Sequence, residues 1–227
     1  DLDGDGDPEI VIASDEIYAW HDEGTEVLDG DGDPRTAGIF ADEGTGGYRA
    51  SVAVGEVDGD AGIEVVAAAW GNIGTSTSPL YQVFAWNGED GSVLPGWPVT
   101  TKHFCWASPA LADLDHDGRA EVLVPAADGY LYCWRYNGAE YMDGDSNPLT
   151  IGIFRWLGNR WPYGSPAVAD IDEDQDLEII QPAADGYIYA FNPDGSAVTG
   201  WPFNCQAKSN CSPAVGDVDN DGHLEIA

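Results

Sequence analysis

The sequence predicts an all-β protein, a β-propeller of four-stranded antiparallel blades, and three observations carry that expectation. Acidic side chains occupy alternate positions in five stretches, each closing on Glu just before an apolar run. The stretches recur at a nearly constant interval. Between them lie short, alternating apolar segments broken by Gly, Asp and Asn, with no convincing amphipathic helix.

The stretches are DLDGDGDPEI, EVDGDAGIEV, DLDHDGRAEV, DIDEDQDLEI and DVDNDGHLEI, starting at residues 1, 56, 113, 170 and 217. The intervals are 55, 57, 57 and 47 residues, and a period near 50 is the mark of propellers, solenoids or arrays. Each unit reads in the same order. An entry strand comes first, at 51–54, 108–111, 165–168 and 212–215. The acidic loop follows, and its second residue is always apolar (Leu2, Val57, Leu114, Ile171, Val218), which predicts that this side chain turns inward. A second strand begins directly after Glu, at 10–12, 65–67, 122–124 and 179–180. Asp128-Gly129 and Asp185-Gly186 then suit hairpin turns that need positive φ. An aromatic third strand comes next (130–134 and 187–191), and a further turn leads to a fourth strand near Gly96-Trp97-Pro98 or Gly200-Trp201-Pro202. Four strands in about 50 residues describe a propeller blade. On this reading residues 1–227 are one propeller region of about four blades plus a fifth loop. The chain opens and stops inside a repeat, without an initiator Met, and reads as a piece of a longer protein.

The acidic loops place carboxylates at positions 1, 3, 5 and 9. These are Asp1, Asp3, Asp5 and Glu9; Glu56, Asp58, Asp60 and Glu64; Asp113, Asp115, Asp117 and Glu121; Asp170, Asp172, Asp174 and Glu178; and Asp217, Asp219, Asp221 and Glu225. Close-set carboxylates repel one another unless a cation sits among them. Hard oxygen donors in a flexible loop suit Ca2+ better than Mg2+ or Zn2+. The loops are not EF-hands, since no helix flanks them and each closes at position 9 rather than 12.

Composition narrows the partners. The chain has 41 Asp and Glu against 8 Lys and Arg, a formal net charge of −33. Five bound dications would leave about −23. Nucleic acid is excluded as an expected partner because its binding needs basic residues, and anionic membranes and polyanionic glycans are disfavoured likewise. The acidity also fits a salt-adapted source. With 43% hydrophobic residues and 9 Trp, 10 Tyr and 6 Phe, the chain has material for a core, and no apolar run approaches a membrane span. Cys205 and Cys211 bracket a short segment and are candidates for a loop disulfide, Cys133 reads as a small buried residue, and Cys105 has no evident partner.

An Asp-x-Asp-x-Asp-Gly-x-x-Glu loop between two strands, preceded by Ser-Pro-Ala-Val-Ala as at 165–169 and repeated at this interval, resembles the FG-GAP or VCBS repeats. Those repeats build integrin-α-type propellers and many secreted bacterial propellers, and DGYIYAFNPDGSAVTGWPF at 185–203 is similar to the bacterial branch. The resemblance covers nearly the whole chain. It implies Ca2+ held by side chains at positions 1, 3, 5 and 9, with the position 7 carbonyl added: that of Asp7, Gly62, Arg119, Asp176 or His223. It also implies an extracellular or cell-surface location. The Glu56 loop departs from the pattern, with Ala61 where Gly is usual, and the fourth loop has Gln175 there. Both are expected to bind more weakly. Glu at position 9, where the family often has Asp, suggests a bidentate contact.

Beyond calcium the sequence offers little chemistry. His21, His103, His116 and His223 are scattered, and no nucleophile motif or His-Glu-x-x-His is present. The expected function is a calcium-stabilised extracellular propeller serving as a binding, adhesion or scaffold module, not itself an enzyme, with a protein or neutral carbohydrate as ligand. The alternatives are the propeller of a secreted enzyme (polysaccharide lyase or quinoprotein-like) and a spacer for a catalytic domain elsewhere. Trp97, Trp161 and Trp201, each next to Pro, read as packing between blades, whereas Trp70, Trp106 and Trp156 lie in irregular segments. Two insertions, at 28–40 (Asp29, Asp31, Asp33) and 142–154 (Asp143, Asp145, Asn147), read either as hairpin turns or as further cation sites. A propeller with missing blades would expose strand edges through which copies associate.

Overall fold

Each apolar run that follows a closing Glu is too short and too β-branched for a helix, and each forms a strand. In the computed structural model, residues 1–33, 35–42, 47–70, 81–158, 161–206 and 210–227 are described. Among them every regular element is a β-strand, and no helix is long and apolar enough to cross a membrane. The first sheet is β1 (Ile10–Ala13), β2 (Ile17–Trp20) and β3 (Ile39–Ala41), paired in that order. Three four-stranded sheets follow, each antiparallel and in chain order. They are β4 (Ala53–Gly55), β5 (Glu64–Ala68), β6 (Tyr81–Asn87) and β7 (Val99–Thr101); β8 (Ala110–Ala112), β9 (Glu121–Pro125), β10 (Tyr130–Trp134) and β11 (Ile153–Trp156); and β12 (Ala167–Ala169), β13 (Glu178–Pro182), β14 (Tyr187–Phe191) and β15 (Phe203–Asn204). A last pair joins β16 (Val215–Gly216) to β17 (Glu225–Ile226).

Among the described residues three blades have four strands, while the first unit supplies three strands and the last two, a partial propeller of about four blades as expected. The entry strand starts at Ala53, Ala110 and Ala167, two residues later than Ser51, Ser108 and Ser165. The serines serve instead as ties between blades. Ser108 N–H donates to Ser165 Oγ and Ser165 N–H to Ser212 Oγ, both at 2.9 Å. The first strands β4, β8, β12 and β16 lie beside one another in succession, as inner strands around a common axis do. The fourth strand lies beside Gly-Trp-Pro as expected, β7 starting at Val99 and β15 at Phe203, and the Trp97-Pro98 and Trp201-Pro202 bonds are cis.

The core consists of layers between blades. One holds Leu2, Ile17, Phe40, Val65, Phe84 and Trp86, the next Val57, Val66, Leu94, Val122, Tyr132 and Trp134, and a third Leu114, Leu123, Leu131, Phe154 and Ile179. Both faces of a second strand are thus covered, which is why β5, β9 and β13 are buried at every residue. Trp97 belongs to such a layer, with its indole N–H donating to Tyr136 O across the blade boundary at 2.7 Å. Trp161 does not, being 44% exposed.

Cys205 and Cys211, candidates for a loop disulfide, are not joined by one. Cys205 Sγ donates instead to Gly186 O at 3.0 Å, which holds it on the neighbouring hairpin. Residues 207–209, between the two cysteines, lie outside the described residues, as does Pro34 in the first insertion. Cys133 and Cys105 are buried and free. Both insertions end in a fourth strand, and their acids are met by their own loop. Thr36 Oγ1 donates to Asp31 and Thr150 Oγ1 to Asp145, each at 2.7 Å, while Arg35 pairs with Asp33.

Candidate metal centres

Each acidic loop joins the first strand of a blade to its second, so all the loops fall at the same end of the sheets. Local hydrogen bonds curl them inward. The position 5 carboxylate accepts the position 7 N–H in every loop, from Asp5, Asp60, Asp117, Asp174 and Asp221, at 2.6–3.0 Å. In the third, fourth and fifth loops the position 1 carboxylate also accepts the N–H groups of positions 5 and 6, at 2.9–3.2 Å. That curl needs positive φ at position 6, met by Gly6, Gly118 and Gly222 and, without a glycine, by Gln175 at 81°. The second loop turns differently. Ala61 is not left-handed, and Glu56 uses its longer arm to accept Gly59 N–H at 2.5 Å.

Position 9 is the anchor. One oxygen of each Glu accepts the N–H of position 2: Glu9 from Leu2, Glu64 from Val57, Glu121 from Leu114, Glu178 from Ile171 and Glu225 from Val218. This bond also points the position 2 side chain into the blade interface. Leu2, Val57 and Leu114 are buried as expected, Ile171 is half-buried, and Val218 on the last pair is exposed. With Oε2 committed to the backbone, one oxygen per Glu remains for a ligand, which argues against the bidentate contact expected from the longer arm.

In the first four loops, positions 1, 3 and 9 come together. Asp1, Asp3 and Glu9, then Glu56, Asp58 and Glu64, Asp113, Asp115 and Glu121, and Asp170, Asp172 and Glu178 each offer carboxylate oxygens within 4.8 Å of one another. The Oε1 atoms of Glu9, Glu64 and Glu178 are buried and have no hydrogen-bond partner. A buried carboxylate oxygen left bare is costly. Burial, with the neighbouring acids adding to it, pushes the Glu64 carboxyl up to about 7 and raises that of Glu178. The donor set is all oxygen and anionic, so the residues fit a hard divalent cation.

The position 7 side chains, and two at position 4, do other work. Arg119 Nε donates to Asp58 O at 2.9 Å and its guanidinium lies over Tyr136, which ties the third loop to the second. His116 meets Asp176 at 3.2 Å, and His223 bonds Glu173. Both histidines are exposed, as expected, and each links its loop to the fourth. Sequence reading missed two groups at the loops. His21 lies 3.6 Å from Glu9 Oε1 and 3.7 Å from Asp3, and Arg135 lies 2.5 Å from Asp115 and 3.8 Å from Glu121 Oε1. Both follow the tryptophan that ends a third strand, and that register is the signal that identifies them.

The opposite end of the sheets carries a row of rings. Trp70 meets Trp106 at 4.4 Å between centroids with the rings tilted by 52°, Trp106 approaches Tyr163 at 5.9 Å, and Trp161 meets Phe104 at 5.6 Å. Arg49 lies over Trp70 at 5.2 Å. The Trp106 indole N–H is buried and without a partner.

No family model and no curated protein matches the chain. Solved structures do. BBS1N, in a complex with ARL6DN soaked with lead, aligns at TM-score 0.51 and 12% identity over 96% of this chain and 58% of that one. The fold is that of a β-propeller. Rhamnogalacturonan lyase YesW aligns at TM-score 0.49 and 20% identity over 77% of this chain and 39% of that one, and the computationally designed Ika4 protein at 0.46 and 14% over 80% and 92%. This chain thus spans little more than half of BBS1N and under half of the lyase, and the likeness bears on fold alone.

Proposed function

We propose that this chain is a calcium-stabilised propeller of the FG-GAP/VCBS kind, working outside the cell as a binding module. The observation that carries the reading is the set of buried oxygens on Glu9, Glu64 and Glu178 that accept no hydrogen bond, each facing two further carboxylates. Asp1, Asp3 and Glu9, with their counterparts Glu56, Asp58 and Glu64 and Asp170, Asp172 and Glu178, would hold the ion. Bound Ca2+ would supply positive charge and no chemistry. Millimolar extracellular calcium fills even weak sites of this type. The ring row at the other end is the ligand face of this proposal. The exposed Trp161 indole suits the apolar side of a neutral sugar, and the charge of −33 repels polyanions. Thermal melting in EDTA against 2 mM CaCl2 tests the first part, and an unchanged midpoint rejects it. Binding to a panel of neutral and uronate oligosaccharides, with Trp161→Ala as control, tests the second. Failure to bind neutral sugars, or binding that survives the substitution, rejects it.

A further inference from the structure

The loops are not equivalent, and the difference comes from the residue that follows the third strand's terminal aromatic. His21, Asn87, Arg135 and Asn192 follow Trp20, Trp86, Trp134 and Phe191. Their backbones do the same thing, each N–H donating across the next turn at 2.8–2.9 Å, to Thr25, Ser92, Ala139 and Ser196. Their side chains diverge. Asn87 Oδ1 accepts Glu89 N–H, and Asn192 Nδ2 donates to Ser196 Oγ, both at 2.8 Å, so each is engaged with its own turn. Arg135 instead reaches the acidic loop of its blade. Its Nη1 donates to Asp115 Oδ2 at 2.5 Å and lies 3.8 Å from Glu121 Oε1, and its guanidinium is held over the Tyr141 ring at 5.0 Å. Glu64 and Glu178, in the loops faced by asparagine, have a buried Oε1 without a hydrogen-bond partner, as does Glu9 in the loop faced by His21.

We propose that Arg135 is a built-in cation for the third loop, a guanidinium that takes the place a divalent ion fills in the first, second and fourth. Guanidinium is permanently charged and its planar fork matches carboxylates, so it pairs with Asp115 and offsets part of the charge that Asp115 and Glu121 share, without an ion. A second cation brought among the same oxygens meets the repulsion of a like charge at close range. The third loop is therefore set without calcium, while its neighbours depend on calcium. This inference rests on the calcium reading above.

The test is to locate and count ions in the intact chain. Long-wavelength anomalous maps of crystals grown in 2 mM CaCl2 are expected to show peaks in the loops at Asp1, Glu56 and Asp170 and none at Asp113. Equilibrium dialysis with 45Ca is expected to find one more ion per chain in Arg135→Asn, which copies the residue of the second and fourth units. Arg135→Lys keeps the charge and is expected to gain none. A wild-type peak at Asp113 equal to the others overturns the inference and leaves the calcium reading standing. So does an unchanged count in a folded Arg135→Asn protein. Peaks at none of the loops overturn both. The wild-type map decides the matter even if the variants do not fold.

Discussion

Glu64 shows how much rests on one atom. Its Oε2 is spent on Val57 N–H, and its Oε1 sits buried beside Asp58 and Glu56 with nothing to meet it. Glu64→Gln keeps the shape and lets an amide N–H2 face those carboxylates. The ion-free protein is expected to gain about 1–2 kcal/mol, while the calcium-induced rise in melting temperature shrinks; melting curves with and without Ca2+ check both. Asp128 gives a second case. It accepts the Tyr132 hydroxyl at 2.6 Å and Tyr130 N–H at 3.1 Å, and burial raises its carboxyl above the usual range. Asp185 makes the equivalent bonds at an exposed site. Asp128→Ala is expected to cost about 1–3 kcal/mol, because the buried Tyr132 hydroxyl loses its acceptor, and Asp185→Ala less than about 1 kcal/mol; urea unfolding of the two variants checks the difference. The carboxylates of the loops were legible in the sequence because their spacing repeats. Arg135 was not, because its position holds His, Asn, Arg and Asn in turn and only the blade register aligns them.

At the scale of elements, alternation and turn dipeptides located the second and third strands well, since those strands carry the apolar runs that the blade layers need. The first and fourth strands are only two to four residues long and are set by what surrounds them, so the serines were read as strand when they are ties between blades. Spacing left the disulfide between Cys205 and Cys211 open, because it says nothing of where the side chains point. The insertions were legible as units but not as to their role, which is to bring a glycine under an indole. Gly152 has φ of +86°, and a Cβ there would lie 2.1 Å from Trp134 Nε1; Gly38 stands in the same relation to Trp20. Trp134 is fully buried between two blades and has no room to retreat. Gly152→Ala therefore combines backbone strain with overpacking, and a loss of roughly 2–4 kcal/mol is expected. Gly118→Ala is the contrast. Its φ of +86° is strained too, but nothing lies within 4 Å of the added methyl, so only the backbone part, about 1 kcal/mol, is expected. Thermal denaturation of the pair separates the two contributions.

For the whole molecule, the loops and the core are one mechanical system. Leu2, Val57 and Leu114 hang from position 2 into the layers between blades, held there by the same Glu that faces the cation site. Releasing the carboxylates should thus loosen packing around Trp86 and Trp134, which lie in those layers. Two physical accounts of the charge of −33 compete at this scale. If general repulsion dominates, any salt that shortens the Debye length to about 8–10 Å relieves it. If local repulsion at the buried glutamates dominates, only an ion that enters the loops helps, because a screening atmosphere does not reach oxygens that are shut off from solvent. The two accounts differ in a titration. Calcium in the low millimolar range is expected to raise the melting temperature by several degrees more than NaCl of equal ionic strength. The gain should keep rising with log [Ca2+] as mass action requires, by about 1.4 kcal/mol per filled site for each tenfold excess over its Kd. Near-UV circular dichroism should follow the same curve, since the tryptophans lose their fixed surroundings when the loops let go. Equal gains from the two salts would assign the stabilisation to screening and remove the reason for treating the loops as ion sites.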